Sequence, residues 1–369
     1  MVKICHMTSA HRSGDTRIFE KECTSLAKKE NYQVFLVARG ESSVKNGVRI
    51  VGAGGGPKSR IQRMLFTTRR IYKKALSLDA DVYQFHDPEL LRYGLKLKKA
   101  GKMVIFDCHE DVPGQIMTKA YIPKPFRGLA AGIYRRRQDR AIPRYDAVIT
   151  ATPHVYERLK TFQDHTYLIT NFPIITPGGA GQLEKPGTIV FAGGVDPQWS
   201  HAAIIQALDG VDHVQYDIFG RADETYLQEL AALPGWSKVV YHGFCDFAEV
   251  QAAMKGSNAA MALCRPSGNT NGRKGNLANT KLFEAMQLGI PVIATDFDLW
   301  KEIVEGGACG ICVNPSDVDA IRSAISYLIT NREAAGQMGR NARRLAEEAY
   351  NWESQEQILF QLYEQVLKQ

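Results

Sequence analysis

No stretch of the 369-residue sequence approaches the ~20 uninterrupted apolar residues that a membrane helix needs. The opening run MVKICHMTSAHRSGD holds no apolar core of signal-peptide length. Cysteines are few, seven in all and odd in number, which suits reduced cytoplasmic thiols better than a disulfide framework. Cys309 and Cys312 are spaced as C-x-x-C. No second Cys or His cluster accompanies them, so they read as small residues around a buried strand and no metal is expected. A zinc-finger, RNA-recognition or helix-turn-helix signature is missing too, so nucleic acid is not an expected partner. These absences lead us to expect a cytoplasmic protein, one that can be peripheral at the inner face of the cell membrane.

Acidic residues are scarce in one half only. Residues 1–180 hold 31 Lys and Arg against 16 Asp and Glu, whereas the remainder holds 15 against 23. A half with net +15 beside one with net −8 suggests that the first meets something anionic. Apolar residues at 44% and charged residues at 23% are those of a globular protein. The length calls for two domains rather than one core.

What is present is alternation. Apolar, β-rich runs are predicted as strands at Val2–Met7, Gln33–Ala38, Val48–Val51, Val82–Phe85, Met103–Asp107, Ala147–Thr150 and Tyr167–Thr170. Helical patterns lie between most of them, which predicts parallel strands with crossover helices. Residues 171–187, NFPIITPGGAGQLEKPG, hold three prolines and four glycines and predict a linker. Strands then resume at Ile189–Ala192, Gln215–Phe219, Val239–Tyr241, Ala260–Leu263, Val292–Ala294 and Ile311–Val313. Helices are predicted at Tyr226–Leu233, Leu282–Leu288, Val318–Ile329 and Ser354–Leu367. The expected fold is α/β, with two Rossmann-like doubly wound domains. We place the first at 1–172, a linker at 173–187, the second at 188–349, and a last helix at 350–369.

Candidate chemistry gathers at predicted strand ends, where such folds bind ligands. Thr8–Asp15, TSAHRSGD, follows the first strand and contains Gly14; it reads as a backbone approach to a ligand or as a plain turn. Arg17 beyond it reads either as a phosphate contact or as a surface partner of Glu20 or Glu22. His86 and Asp87 close the fourth strand; Asp87 is placed to cap the helix opened by Pro88. His109, Glu110 and Asp111 close the fifth, with a histidine suited to proton transfer or to orienting a sugar hydroxyl, or to helix capping and burial. Gly193 and Gly194 end the run FAGG, as a phosphate turn or a tight turn alone. Ser267–Thr280, SGNTNGRKGNLANT, is a Gly-rich loop bearing Arg273 and Lys274 that feeds a helix. Asn279 or Thr280 would cap that helix, and Leu282 belongs to its first turn. Lys281 opposes the helix dipole there unless an anion binds. Glu284 lies three residues on, on nearly the same face, able to accept from two ribose hydroxyls or simply to pair with Lys281.

Two basic amphipathic segments remain. Lys58–Leu78 sets Ile61, Met64, Leu65, Ile71, Tyr72 and Ala75 against Arg60, Arg63, Arg69, Arg70, Lys73 and Lys74. Lys119–Arg140 mixes Tyr121, Ile122, Phe126, Leu129 and Tyr134 with Lys119, Lys124, Arg127 and Arg135–Arg137. Either they pack one face on the core, or they rest on an anionic membrane surface.

In order and spacing, DTRIFEKECTSLAKKENYQVFLVA, FHDPELL, FDCHEDVP, NFP, FAGG, TKLFEAMQLGIPVIATDFDLWKEIV, CGICVNP and EAYNW resemble the family-four retaining glycosyltransferases of the GT-B fold. Among these the likeness is to bacterial members of exopolysaccharide, capsule or lipopolysaccharide type. The resemblance implies two domains facing a cleft, with acceptor in the first and nucleotide sugar, expected to be UDP-linked, in the second. It implies that Glu284 binds the donor ribose and that His109, beside Glu110, contacts the donor sugar near the reacting carbon. Gly193, Gly194 and the helix start at Asn279, Thr280, Lys281 and Leu282 would surround the diphosphate, with no metal or other cofactor. The last helix would cross back to the first domain. Two departures stand out: Asn276 occupies a position where the family often has glutamate, and Val195–His201 lacks the Arg and Lys that many members carry after the glycine turn. Cations for the diphosphate are therefore sought at Arg273, Lys274 or Lys281, with Arg17 across the cleft and Gly14 nearby. Partners implied are a nucleotide sugar and a lipid-linked or saccharide acceptor. A sugar-nucleotide epimerase and a non-catalytic glycosyltransferase-like subunit are the competing readings.

Overall fold

The computed structural model describes residues 1–56, 59–109, 111–119, 122–178 and 184–368. Lys58, Glu110, Tyr121 and the middle of the expected linker fall outside the described residues, as do the side chains of Thr118 and Asn269. The chain divides into two compact units, Met1–Asn171 with Trp352–Gln369, and Phe172–Asn351.

The first unit is built on eight strands: β1 Val2–Arg12, β2 Tyr32–Arg39, β3 Ser43–Lys45, β4 Val48–Gly52, β5 Val82–Phe85, β6 Met103–Cys108, β7 Ala147–Thr150 and β8 Thr166–Leu168. Their order is β3-β4-β2-β1-β5-β6-β7-β8, and every pair is parallel except β3–β4. Side chains alternate across a strand, so a continuous apolar run supplies two cores. Cys5, Met7, Val37, Tyr83, Phe85 and Phe106 enter one core. Ile4, Leu36, Val82, Ile105 and Ile149 enter the other. The helix Trp352–Val366 closes that second core with Leu359, Leu362, Tyr363 and Val366.

Two boundaries differ from expectation. Strand β1 runs on to Arg12, with a register break after Met7, so five of the eight residues of the expected Thr8–Asp15 loop are strand. Strand β3 was not expected, because its three exposed residues carry no apolar pattern. Its hairpin turn is Asn46–Gly47, both at positive φ, the conformation a two-residue type I′ turn requires.

The second unit holds six parallel strands: β9 Lys185–Ala192, β10 Gln215–Phe219, β11 Val239–Gly243, β12 Ser257–Ala262, β13 Val292–Thr295 and β14 Gly310–Val313. Their order is β11-β10-β9-β12-β13-β14. Strand β9 begins inside the expected linker, and Phe172 and Ile175 already pack in this unit's core. A helix at Arg332–Glu348 was not expected and buries Ala335, Ala342 and Ala346. Strand order reverses between β9 and β12 here, and between β1 and β5 in the first unit. Such switch points open ligand crevices at the strand C-termini.

Candidate active site

At the switch point of the first unit, the ends of β1, β5 and β6 bring His86, Asp87, His109 and His11 together. The organising group is Asp107, which the sequence reading treated only as the end of a strand. It is fully buried. Its Oδ2 accepts from His86 Nδ1 at 2.9 Å, His109 Nδ1 at 3.1 Å and Arg17 Nε at 3.0 Å; Oδ1 accepts from Arg17 Nη2 at 3.0 Å. Burial would raise the Asp107 carboxyl, but Arg17 and His109 outweigh it and hold it well below the usual carboxylate range. An ionised carboxylate only accepts, so His86 and His109 each turn an N–H toward it. Of the three, His109 is part-exposed, whereas Asp107 and His86 are not.

Behind His109 the contacts close into a ring. His86 Nε2 lies 3.0 Å from His6 Nδ1, and His6 Nε2 lies 3.2 Å from the Tyr363 hydroxyl. Tyr363 donates to Gln84 Oε1 at 2.7 Å, and Gln84 Nε2 donates to Glu22 Oε2 at 2.6 Å. Glu22 Oε1 returns to Arg17 at 3.1 Å. Burial lowers His6 and His86, and burial with the nearby Asp107 raises Glu22 despite Arg17. Arg17 also donates to the Ile169 carbonyl at 3.0 Å. Its guanidinium is thus buried between two carboxylates. It pairs with Glu22, but inside the unit, and it does not present its charge to a diphosphate.

Asp87 is corrected as well. It makes no side-chain cap on the helical turn Pro88–Leu90. Its Oδ2 accepts instead from the Ser9 amide, from Ala10 N at 3.2 Å, and from the Thr8 and Ser9 hydroxyls at 3.0 and 3.1 Å. This staples the extension of β1. His86 and Asp87 are both buried, so neither presents its side chain to an acceptor as expected. The rings of His109 and His11 stand 5.6 Å apart. His11 Nδ1 lies 2.7 Å from Asp15, which also caps the helical segment Thr16–Cys23 through the amides of Arg17 and Ile18. Gly14 forms the exposed turn before it. Ligand atoms of His86, Asp107 and His109 lie within 4.8 Å of one another, as do those of His6, Glu22 and His86. Arg17 already occupies both oxygens of Asp107, which disfavours a cation at the first set.

At the second unit's switch point, Gly193 and Gly194 follow the end of β9, and the segment after β12 leads into the helix Thr280–Gln287. Asn279 caps that helix, accepting from Lys281 N at 3.2 Å. Lys281 lies across Gly193: a Cβ there would stand 2.2 Å from Lys281 Cε and 2.6 Å from Nζ. Its Nζ sits 4.0 Å from the Trp199 ring centroid and 5.6 Å from that of Phe191. Burial lowers the Lys281 ammonium, opposed by Glu284 and Asp196. Among the described residues no carboxylate lies within ion-pair distance of it. Glu284 is part-buried one turn on, Thr280 is part-buried beside the cap, and Leu282 is in the core, so only its backbone can meet a ligand. Arg273 pairs with Asp296 at 2.9 Å on the surface, and Lys274 is exposed. Asn276 is buried, its Oδ1 accepting from Ala278 N at 2.9 Å and its carbonyl from Trp300 Nε1 at 2.8 Å.

Paired doubly wound units with polar clusters at their switch points are the architecture of two-domain GT-B enzymes. The chain superposes over 100% of its length on all of a sucrose-phosphate synthase from Thermosynechococcus elongatus, with TM-score 0.76 and 16% identity. It covers 99% of itself and 100% of the Anabaena protein HepE solved with UDP-glucose, with TM-score 0.69 and 14% identity. Residues 19–172 match the model of Glycosyltransferase Family 4, and residues 186–331 match that of Glycosyl transferases group 1. The chain belongs to the glycosyltransferases, with a Family 4 domain followed by a group 1 domain. A phosphatidyl-myo-inositol mannosyltransferase of Mycobacterium leprae is 31% identical over 202 residues, 52% of this chain and 50% of the relative. The chain thus spans half the length of that relative. The enzyme of the same name from Mycolicibacterium smegmatis is 24% identical over 94% of this chain and 88% of its own.

Proposed function

We propose that the chain is a retaining hexosyltransferase that moves a sugar from a nucleotide diphosphate sugar, UDP-linked, to a lipid-linked or saccharide acceptor in surface polysaccharide or glycolipid synthesis. The observation that carries this reading is Lys281. A largely desolvated ammonium with no described carboxylate within ion-pair distance is less favourable on its own than beside an anion. It sits at the start of a helix, whose dipole adds to its pull on a diphosphate. Glu284 on the same helix offers a carboxylate to the ribose. Relatives named as mannosyltransferases of a phosphoinositide support the hexose and the lipid acceptor, and neighbours solved with UDP or UDP-glucose support the nucleotide.

In this reading Lys281 and the helix start stabilise the charge that develops on the leaving diphosphate. His109, its Nδ1–H held by Asp107, accepts a hydroxyl of the donor sugar at Nε2. Attack comes from the face that the diphosphate leaves, and the leaving phosphate helps remove the acceptor proton, so configuration is retained. No metal is invoked. Calorimetry with UDP and GDP on the wild type and on Glu284→Ala is the direct test. UDP should bind, and the variant should weaken it about tenfold or more, as expected for lost hydrogen bonds to a charged group. Binding of neither nucleotide would sink the proposal.

Membrane contact belongs to the same proposal. In the helical stretch 60–76, Ile71 and Ala75 are buried while Ile61 and Phe66 stay 70% and 68% exposed, beside Met64, Leu65 and basic residues. The helix Lys124–Ala141 likewise exposes Phe126, Leu129 and Ile133 among arginines. Both lie in the basic first unit. No described helix is long and apolar enough to cross a membrane. Flotation with anionic liposomes should recover the protein at low salt and lose it as salt rises. Recovery that ignores salt, or that persists in a Leu65→Ser, Phe66→Ser variant, refutes this contact.

A further inference from the structure

Among the described residues, Lys281 lies directly over Gly193, and the Trp199 ring faces its ammonium. We propose that Trp199 is a positioning residue for Lys281, fixing the ammonium over the Gly193 turn so that a nucleoside diphosphate meets it already in place. This rests on the nucleotide-sugar reading.

The run Val195–His201 that follows the glycines contains no Lys or Arg. His201 supplies no charge either, since burial and the nearby Lys281 push it down to about 3. What the run contributes instead is the Trp199 face, 4.0 Å from Lys281 Nζ. Trp199 is itself well held. It ends the helical turn Pro197–Trp199, whose cap Asp196 accepts from Gln198 N at 2.8 Å. The Gln198 carbonyl accepts from Arg265 N at 2.8 Å, which ties the turn to the segment after β12. The Trp199 ring leans on Phe191 at 5.6 Å, and Phe191 meets His201 edge-on at 4.5 Å.

A lysine has four rotatable bonds, and ordering them on binding lowers affinity. Stacking on an indole, the ring with the strongest attraction for cations, removes much of that freedom before the ligand arrives. The Gly193 backbone closes the other side, since any side chain there would displace Lys281 Cε. The ring attracts the ammonium without neutralising it, so the charge stays available to phosphate oxygens. The inference is specific to the phosphates. Trp199 should matter to ligands that carry a diphosphate and not to those that carry only the nucleoside.

The test is calorimetry with UDP and with uridine, and with GDP and guanosine in parallel, on wild type, Trp199→Leu, Trp199→Phe, Lys281→Met and the Lys281→Met, Trp199→Leu double variant. Trp199→Leu should weaken the diphosphate about tenfold, the size of a desolvated cation–ring contact, and leave the nucleoside unchanged. Trp199→Phe should restore most of the loss. In the Lys281→Met background, Trp199→Leu should have little further effect. Equal losses for nucleoside and diphosphate, no loss at all, or an undiminished loss in the double variant overturn the inference while leaving the nucleotide reading intact. A wild type that binds neither UDP nor GDP overturns both.

Discussion

Replacing Asp107 by alanine should lower the stability of the first unit by about 3–5 kcal/mol, the range seen when one partner of a buried ion pair is removed. The reason is the number of groups that depend on it. Arg17 loses both of its hydrogen bonds to Asp107 and keeps Glu22 and one carbonyl. His86 and His109 lose the acceptor for their Nδ1 hydrogens. Hydrogen exchange resolves the effect by unit: amides of β1, β5 and β6 should exchange faster, and those of β9 and β12 should not change. A uniform change across both units, or none, contradicts the assignment. The pH dependence has a definite sign. A carboxyl held below its unfolded value of 3.8 stabilises the fold fully above that value, and the contribution is lost as pH falls toward the lower folded pKa. Glu22, raised by burial, works the other way and favours the fold most at low pH, losing its share as pH rises through its folded pKa. The acid limb should therefore flatten in the Asp107 variant.

Lys281→Met should separate activity from stability. Methionine fills a similar volume without the charge. Sugar transfer should fall about 100- to 1000-fold, the effect of removing one preorganised charge-stabilising group. Thermal stability should stay level or rise, because burial disfavours the ammonium in the absence of ligand. Steady-state assay of donor hydrolysis and a thermal melt decide it together. A lower melting temperature with intact activity would show that Lys281 is a packing residue.

The strand framework was legible because buried parallel strands are apolar on both faces, and runs such as VKICHM and MVIFDC announce themselves. The exposed strand β3 carried no such run and showed only in its Asn–Gly turn. At the second site, Lys281 against the helix dipole was a readable conflict, and Glu284 followed from helical spacing. The first site was harder. His109 stood at a strand end where function is expected, but Asp107 lay inside the apolar run, where one carboxylate among Ile, Phe and Cys was the available signal. The Arg17–Glu22 pair was readable locally, but its burial was not, because the second carboxylate, Asp107, is 90 residues away in sequence. Nothing local distinguishes an arginine that faces solvent from one that faces a distant carboxylate. Trp199 carries no charge and so no signal of phosphate binding in that run, since an aromatic ring serves a cation without being one.

The ring behind His109 joins His6 to Tyr363, 357 residues apart. On the ribosome the first strand of this unit is made long before the helix that seals it. The whole second unit, residues 172–351, emerges in between, while one core face of the first still lacks the helix that covers it. The unit begun first is therefore finished last, and its histidines acquire their final hydrogen-bond partners only when the closing helix docks. Between the synthesis of residue 171 and that of residue 352, the apolar face that this helix covers has no cover from its own unit.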